Sequence, residues 1–378
     1  MRLTLVISSL GSGGAERTAS VLASAWAERG ILVTLITLAQ DDVPAYRLHP
    51  AIVLCQLRVR EGTAKHILHG VIRNLRIVRA LRRAICDSRP DLLLSFMDIP
   101  NIVSLLAAWG TRVPVVITEH THPAFHYIGW EWQILRRLLY HRAAALVCMT
   151  NAVLSWMQER ITVRGCVIPN PVQPAPVHAQ GPDKSKKTEN AHIVVAMGRL
   201  SREKGFDLLL EAFSRIASHH RDWKLQILGD GPLRSELEEQ AAKLGLRDQI
   251  EFTGLVADPF PILLGAGLFV LSSRYEGFGN ALCEAMACGL PVISFDCPSG
   301  PREIVRNEID GLLVPAEDVT ALATAMDHLM SNPDKRARLA ARAPEVTERF
   351  GLARVLSLWD QVFTNLLPGA SNAEKRRP

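Results

Sequence analysis

A chain of 378 residues, 48% hydrophobic and 21% charged, is too long for a single domain and too ordinary in composition for a disordered, collagenous or disulfide-built protein. No run of eighteen apolar residues argues for a transmembrane helix, and seven cysteines, odd in number and without a CxxC pair, read as reduced, mostly buried thiols of a cytosolic protein. The net charge of +5 hides an asymmetry: residues 1–168 carry 19 Lys+Arg against 11 Asp+Glu, whereas residues 192–350 carry 17 against 23, so the two halves face different partners.

Along the chain, short apolar runs alternate with amphipathic stretches. Strands are expected at 2–8, 31–38, 51–56, 92–96, 113–118, 145–150 and 165–169, and helices at 15–29, 65–88, 101–109, 130–142 and 151–160. The opening MRLTLVISSLGSGGAER reads as strand and glycine turn, with an apolar run too short for a secretory leader. Five prolines and a polar tail make 169–190 a linker. The alternation then restarts: strands at 192–197, 223–228, 250–253, 268–272 and 291–295, and helices at 205–219, 233–244, 280–288, 318–331, 335–348 and 352–366. The fold class is α/β. It has two doubly wound domains, 1–168 and 191–350, facing a cleft, with helix 352–366 packing back on the first and a frayed tail at EKRRP. Ligands of such sheets bind past the carboxyl ends of the strands, where the strand order reverses.

The motifs sit just after strands. In GSGGAER, Gly11 and Gly13 match the start of a dinucleotide fingerprint, but Glu16 stands where the third glycine belongs. A close backbone approach by Gly13 and Gly14 to a phosphate or sugar is expected, against a tight turn without ligand. In VVAMGRLSREKG, Arg199 and Lys204 bracket a helix start, where cations oppose the dipole unless an anion lies between them. In YEGFGNALCEAMACGLPV, Glu276 precedes a helix and Glu284 lies one turn inside it, with Asn280 as candidate N-cap. First-turn amides from Asn280 to Leu282 suit a phosphate, and a carboxylate on either side suits hydroxyls, which is the layout of sugar, diphosphate and ribose. The alternative is a solvent-facing Glu284; a glycosidase acid–base pair has no other support.

GRLSREKG, GDGPLR, FTGLV and EGFGNALCEAMACGLPVI resemble the retaining glycosyltransferases of family 4, which have the GT-B fold. GSGGAER, PDLLLSFMDIPN, ITEHTHP and VIPNPV are similar to members that build bacterial surface or lipid-linked glycans. The resemblance covers nearly the whole chain. It implies that Glu284 holds the ribose and Glu276 the donor sugar, while Arg199 and Lys204 hold the diphosphate and stabilise the leaving group. Gly277, Phe278, Asn280, Ala281 and Leu282 would line the sugar and phosphates, Gly14 would approach the diphosphate, and His120 would stand near the reacting carbon. VPVVITEH puts Glu119 and His120 just past a strand end, facing the cleft, with His122 a weaker candidate than His120 for the catalytic role, and Asp98 and Asn101, past strand 92–96, are placed to meet acceptor hydroxyls. No metal and no cofactor are implied, and no DxD motif argues otherwise.

Seven Lys/Arg lie between Lys65 and Arg89 with one acid, Asp87. Ile67, Val71, Leu75, Val78 and Ile85 would form the packed face, and Lys65, Arg73, Arg76, Arg79 and Arg83 the other. That face is either solvated or meets anionic lipid or an acceptor pyrophosphate. Trp130, Trp132, Arg136, Arg137 and Arg142 make a second aromatic and basic region. No nucleic-acid-binding signature accompanies the charge. The expected function is transfer of a hexose or N-acetylhexosamine from a nucleotide diphosphate, UDP by expectation, to a polyprenyl-linked or polysaccharide glycan at the cytoplasmic face of the plasma membrane. An inactive GT-B subunit and a sugar-nucleotide epimerase are the alternatives.

Overall fold

The computed structural model of the chain describes residues 1–11, 13–39, 43–57, 67–176 and 192–367. It forms two compact units, Met1–Pro171 together with the chain from Val355 onward, and Val172–Arg354. Residues 177–190 of the expected linker, Lys65 and the tail at 374–378 lie outside the described residues.

The first unit is built on β1 (Arg2–Ile7), β2 (Leu32–Thr37), β3 (Val53–Gln56), β4 (Leu92–Phe96), β5 (Val115–Glu119), β6 (Ala145–Cys148) and β7 (Gly165–Val167). They form one parallel sheet in the order β3-β2-β1-β4-β5-β6-β7. Helices α1 (Gly14–Glu28), α2 (Ile67–Ser88), α3 (Asp98–Ala107), α4 (Trp130–Leu139) and α5 (Asn151–Gln158) connect the strands, with a 3-10 turn at Tyr140–Arg142. Strands β4 and β5 are buried at every residue, which explains their near-continuous apolar runs: a parallel sheet covered on both faces has no solvent side.

The second unit repeats the design. Strands β8 (Ile193–Met197), β9 (Lys224–Leu228), β10 (Ile250–Gly254), β11 (Leu268–Leu271), β12 (Val292–Asp296) and β13 (Leu312–Pro315) run in the order β10-β9-β8-β11-β12-β13, all parallel. Its helices are α6 (Phe206–Ser214), α7 (Arg234–Lys243), α8 (Phe260–Gly265), α9 (Asn280–Ala287), α10 (Pro301–Ile304), α11 (Val319–Ser331), α12 (Pro333–Arg342) and α13 (Val346–Phe350). The helix α14 (Leu352–Leu366) closes the first unit, where Trp359 and Phe363 pack on Trp26 at ring separations of 5.8 and 5.4 Å.

Several expectations need correction. Elements α8, α10 and β13 are too short to show periodicity and were not foreseen. The stretch expected as one helix at 335–348 is two, because Pro344 has no amide to donate and sits in a 3-10 turn, Ala343–Glu345, between them. In α2 the packed face is Leu81 and Ile85 with Ile77, Val78 and Ala84, while Leu75 is 48% exposed; rows spaced four apart from Ile77 face the core. None of the seven cysteines is paired; four are buried and Cys86 is exposed. Among the described residues no helix is long and apolar enough to cross a membrane.

Candidate functional site

In the second sheet the strand order reverses between β8 and β11, so loops leaving their carboxyl ends diverge and open a crevice. The β8 loop carries Gly198, an exposed Arg199, and a 3-10 turn, Arg202–Lys204. The turn ends at Gly205 (φ 61°), where a Cβ would stand 2.1 Å from the Ser272 carbonyl oxygen, so glycine alone lets the turn press against the end of β11. The Ser272 hydroxyl secures the contact by donating to the Lys204 carbonyl at 3.0 Å.

This packing delivers Lys204 to Glu276. Lys204 Nζ lies 2.6 Å from Glu276 Oε1, which also accepts from the Ser273 hydroxyl at 2.7 Å. The carboxylate is buried, at 8% exposure. Between them Arg274 braces both loops: its amide donates to the Glu203 carbonyl, its Nη1 to that of Arg202, and its guanidinium grips both oxygens of Asp207 at 2.8 and 2.7 Å. Burial alone would raise the Asp207 carboxyl; the Arg274 pair outweighs it and holds the group below its ordinary range.

Helix α9 starts at Asn280, and its N-cap is Gly279 at φ 114°. The expected Asn280 cap is therefore corrected: the chain turns through the left-handed region one residue earlier, which glycine tolerates. The first-turn amides of such a helix have no intrahelical acceptor. Glu284 follows one turn on, half-buried. Phe278 is 4% exposed and its ring meets Phe350 edge-on at 5.5 Å, so only its backbone borders the loop. Leu282 is wholly buried and Ala281 half-buried. Gly277 accepts from the Ser299 hydroxyl at 3.3 Å, and Gly300 (φ 95°) lies so close to the Phe278 carbonyl that a Cβ would stand 2.1 Å from its oxygen.

In the first unit the order reverses between β1 and β4. After β1, Gly13 and Gly14 are exposed at the head of α1, and the Glu16 side chain folds back over Gly13 while accepting from Ser9 at 3.3 Å. His120 follows β5. The Thr118 hydroxyl donates to the Ser95 carbonyl at 3.0 Å, so its lone pair receives the His120 Nε2 proton at 2.9 Å. Nδ1 is left as a buried lone pair with no partner. Burial lowers the imidazole to about 4, and the ring is neutral at neutral pH.

Two model families match: "Glycosyl transferases group 1" over residues 179–346 and "Glycosyltransferase Family 4" over residues 12–175. The lipopolysaccharide core biosynthesis glycosyltransferase LpsE of Rhizobium meliloti is 30% identical over 341 residues, covering 88% of this chain and 90% of its own. The chain belongs to glycosyltransferase family 4. A second relative, from Campylobacter jejuni, is "GalNAc-alpha-(1->4)-GalNAc-alpha-(1->3)-diNAcBac-PP-undecaprenol alpha-1,4-N-acetyl-D-galactosaminyltransferase", 28% identical over 95% of this chain and 97% of its own. The fold is GT-B: Anabaena HepE, solved in complex with UDP, superposes with a TM-score of 0.79 over 97% of this chain and 100% of its own, at 19% identity.

Asp98 and Asn101, expected past β4 to meet acceptor hydroxyls, are both buried in the first unit. Asn101 is wholly buried, and its Nδ2 donates to the Thr118 carbonyl at 2.9 Å and to the Tyr140 hydroxyl at 3.2 Å. Asp98 is 6% exposed and accepts from the Ile99 amide at 2.7 Å, with His126 Nε2 at 3.2 Å. Glu119, read as facing a cleft, is 1% exposed. These residues form a buried network that the sequence reading did not assemble. Tyr140 donates to Glu119 Oε1 at 2.5 Å, and Arg136, itself 2% exposed, lies 3.6 Å from that oxygen and 3.7 Å from Asp98 Oδ2. Burial lifts the Glu119 carboxyl to about 7, with Arg136 opposing. Arg136 stands beside an exposed Arg137 on a helix that also carries Glu131 and Gln133, so the sequence held no signal that set it apart. His122 is also buried, its Nδ1 accepting from the Ala124 amide.

Proposed function

We propose that this family 4 glycosyltransferase moves a hexose or N-acetylhexosamine from UDP to a lipid-linked or polysaccharide glycan acceptor, with retention at the anomeric carbon and without a metal. The observation that carries the donor reading is that Arg199, Lys204, Glu276, Glu284 and the head of α9 all follow the carboxyl ends of the two strands, β8 and β11, where the second sheet reverses order. Arg199 and Lys204 supply the positive charge that the diphosphate leaving group acquires a need for in the transition state. Glu284 accepts from ribose hydroxyls, Glu276 from the sugar, and the amides of Asn280 to Leu282 donate to phosphate oxygens. In the first unit Gly13 and Gly14 let a ligand approach the backbone, and the bare Nδ1 of His120 accepts from a sugar hydroxyl. The relatives' printed names, a lipopolysaccharide-core enzyme and an undecaprenol-linked one, support the acceptor class. Arg73, Arg76 and Arg83 on α2 would meet an anionic membrane surface or acceptor pyrophosphate at the inner face of the plasma membrane.

The test is a thermal-shift and calorimetric screen of nucleotides and nucleotide sugars in metal-free buffer. A shift with UDP and one UDP-sugar is expected. Glu284→Ala should weaken UDP about tenfold, and Lys204→Ala should lower turnover more than binding. Variants indistinguishable from wild type with an active donor would overturn the site assignment, and an inverted product anomer by NMR would overturn retention.

A further inference from the structure

Helix α4 has two apolar faces, and the fold uses one. Its inner face packs on the first unit's core through Leu139, with Trp132 and Leu135 partly buried beside it. Its outer face carries Trp130, Ile134 and Leu138, four residues apart, at 63%, 48% and 60% exposure, and Tyr127 in the preceding loop is 73% exposed. Residues spaced by four align on one side of a helix. A surface helix normally turns charge outward here, so a contiguous row of large apolar side chains needs something to cover it.

The flanks indicate what covers it. Arg137 and Arg142 are exposed beside the row, with Glu131 the one acid on the helix. The Arg142 guanidinium lies 3.7 Å from the centroid of the Trp109 ring, itself 52% exposed. Arg82 of α2 donates to the Trp109 carbonyl at 2.6 Å and to that of Ala107 at 2.8 Å. Trp109 thus joins the 3-10 turn that follows α4 to α2, where Arg76, Arg79 and Arg83 are exposed and Asp87 is the one acid. An apolar row with tryptophan and tyrosine at its leading end and arginines along its margin is the pattern of a helix lying in a lipid interface: rings sit at headgroup depth and guanidinium groups reach back to phosphates. A twofold dimer through this face would instead set arginine margins of like charge against each other.

We propose that the outer face of α4 inserts into the interface of an anionic bilayer, with Trp130, Ile134 and Leu138 as the inserted residues and Arg137 and Arg142 as headgroup contacts. Because α4 starts at the carboxyl end of β5, Tyr127 and Trp130 lie at the end of the sheet that carries His120. The inference stands apart from the transferase reading, since vesicle binding requires neither donor nor acceptor.

The experiment is co-sedimentation of the full chain with vesicles of about three parts phosphatidylcholine to one part phosphatidylglycerol. Trp130→Ser, Ile134→Ser and Leu138→Ser combined should lower partitioning about tenfold or more, with circular dichroism and UDP-induced melting shift unchanged. Brominated lipid should quench wild-type tryptophan fluorescence, and Trp130→Phe should remove most of that quenching. The proposal is overturned if wild type does not bind these vesicles, if the triple variant binds as wild type does, or if Trp130→Phe leaves quenching intact. It is equally overturned if light scattering finds a wild-type dimer that the triple variant turns into monomer.

Discussion

Lys204 Nζ and Glu276 Oε1 stand 2.6 Å apart, so the cation assigned to the diphosphate is held by the carboxylate assigned to the sugar. On the proposed assignment an incoming diphosphate would compete with Glu276 for the ammonium, and the sugar hydroxyls would replace the lysine on the carboxylate. Glu276→Gln removes that competition. UDP alone should bind the variant equally or up to about tenfold more tightly, while transfer falls by about a hundredfold. Isothermal titration with UDP, set beside turnover, separates the two effects; weaker UDP binding would show that the pair is not exchanged during donor entry.

Arg274 touches no predicted ligand atom, yet it ties the Glu276 loop to the Lys204 turn and to Asp207. Arg274→Lys keeps one charge but loses the forked grip on Asp207. Its turnover should fall about tenfold and donor KM should rise, with little rescue relative to Arg274→Ala. Full activity of the lysine variant would reduce Arg274 to a charge balance.

Glu119 makes a pH prediction. Its folded value, about 7, lies above the ordinary carboxyl range, so the folded chain binds more protons than the unfolded chain between roughly pH 4.3 and 7. Its contribution to stability is full below the unfolded value and is lost as pH rises through the folded one. Glu119→Gln, which can still accept from Tyr140, should therefore raise Tm at pH 8 and leave it nearly unchanged at pH 5. His120 acts oppositely: its lowered value makes stability fall as pH drops from about 6.5 towards 4, by roughly 2–3 kcal/mol, and His120→Gln should flatten that limb of the melting curve.

At Gly300 a methyl group would meet the Phe278 carbonyl at 2.1 Å in a backbone region that alanine disfavours. Gly300→Ala should lose about 2 kcal/mol or more in denaturant unfolding and displace the loop from Glu276 to Gly279. A variant that unfolds at the wild-type denaturant concentration and binds UDP normally would show that the loop accommodates the shift.

The strands and helices that carry the donor motifs were legible because each motif follows a buried apolar run and opens a periodic one; Gly198 after β8 and Glu276 after β11 are placed by that punctuation alone. The face of α2 was misjudged because Val78 and Ile85 fit both readings, while Leu75 lies about 160° around the helix from Ile77, and the core takes the side of Ile77 and Leu81. The network of Asp98, Glu119, Arg136 and Tyr140 was not legible. Asp98 opens α3, Glu119 ends β5, Arg136 lies in the last turn of α4 and Tyr140 just past it, all places where solvent contact is the ordinary expectation for a polar group, and only the packing of α3, α4 and β5 turns them inward.

The pairing of Trp26 with Trp359 and Phe363, reinforced by Arg29 on Asp360 at 2.7 Å, has a consequence for biosynthesis. The indole of Trp26 has no solvent exposure in the finished molecule, but its lid follows the whole second unit in sequence. On the ribosome the first unit is made early and must wait, with an uncovered tryptophan, until α14 emerges. The usual order, in which the earlier domain completes itself first, is inverted here, and a chain stopped before Leu352 leaves the first unit, rather than the second, unsealed and prone to chaperone capture.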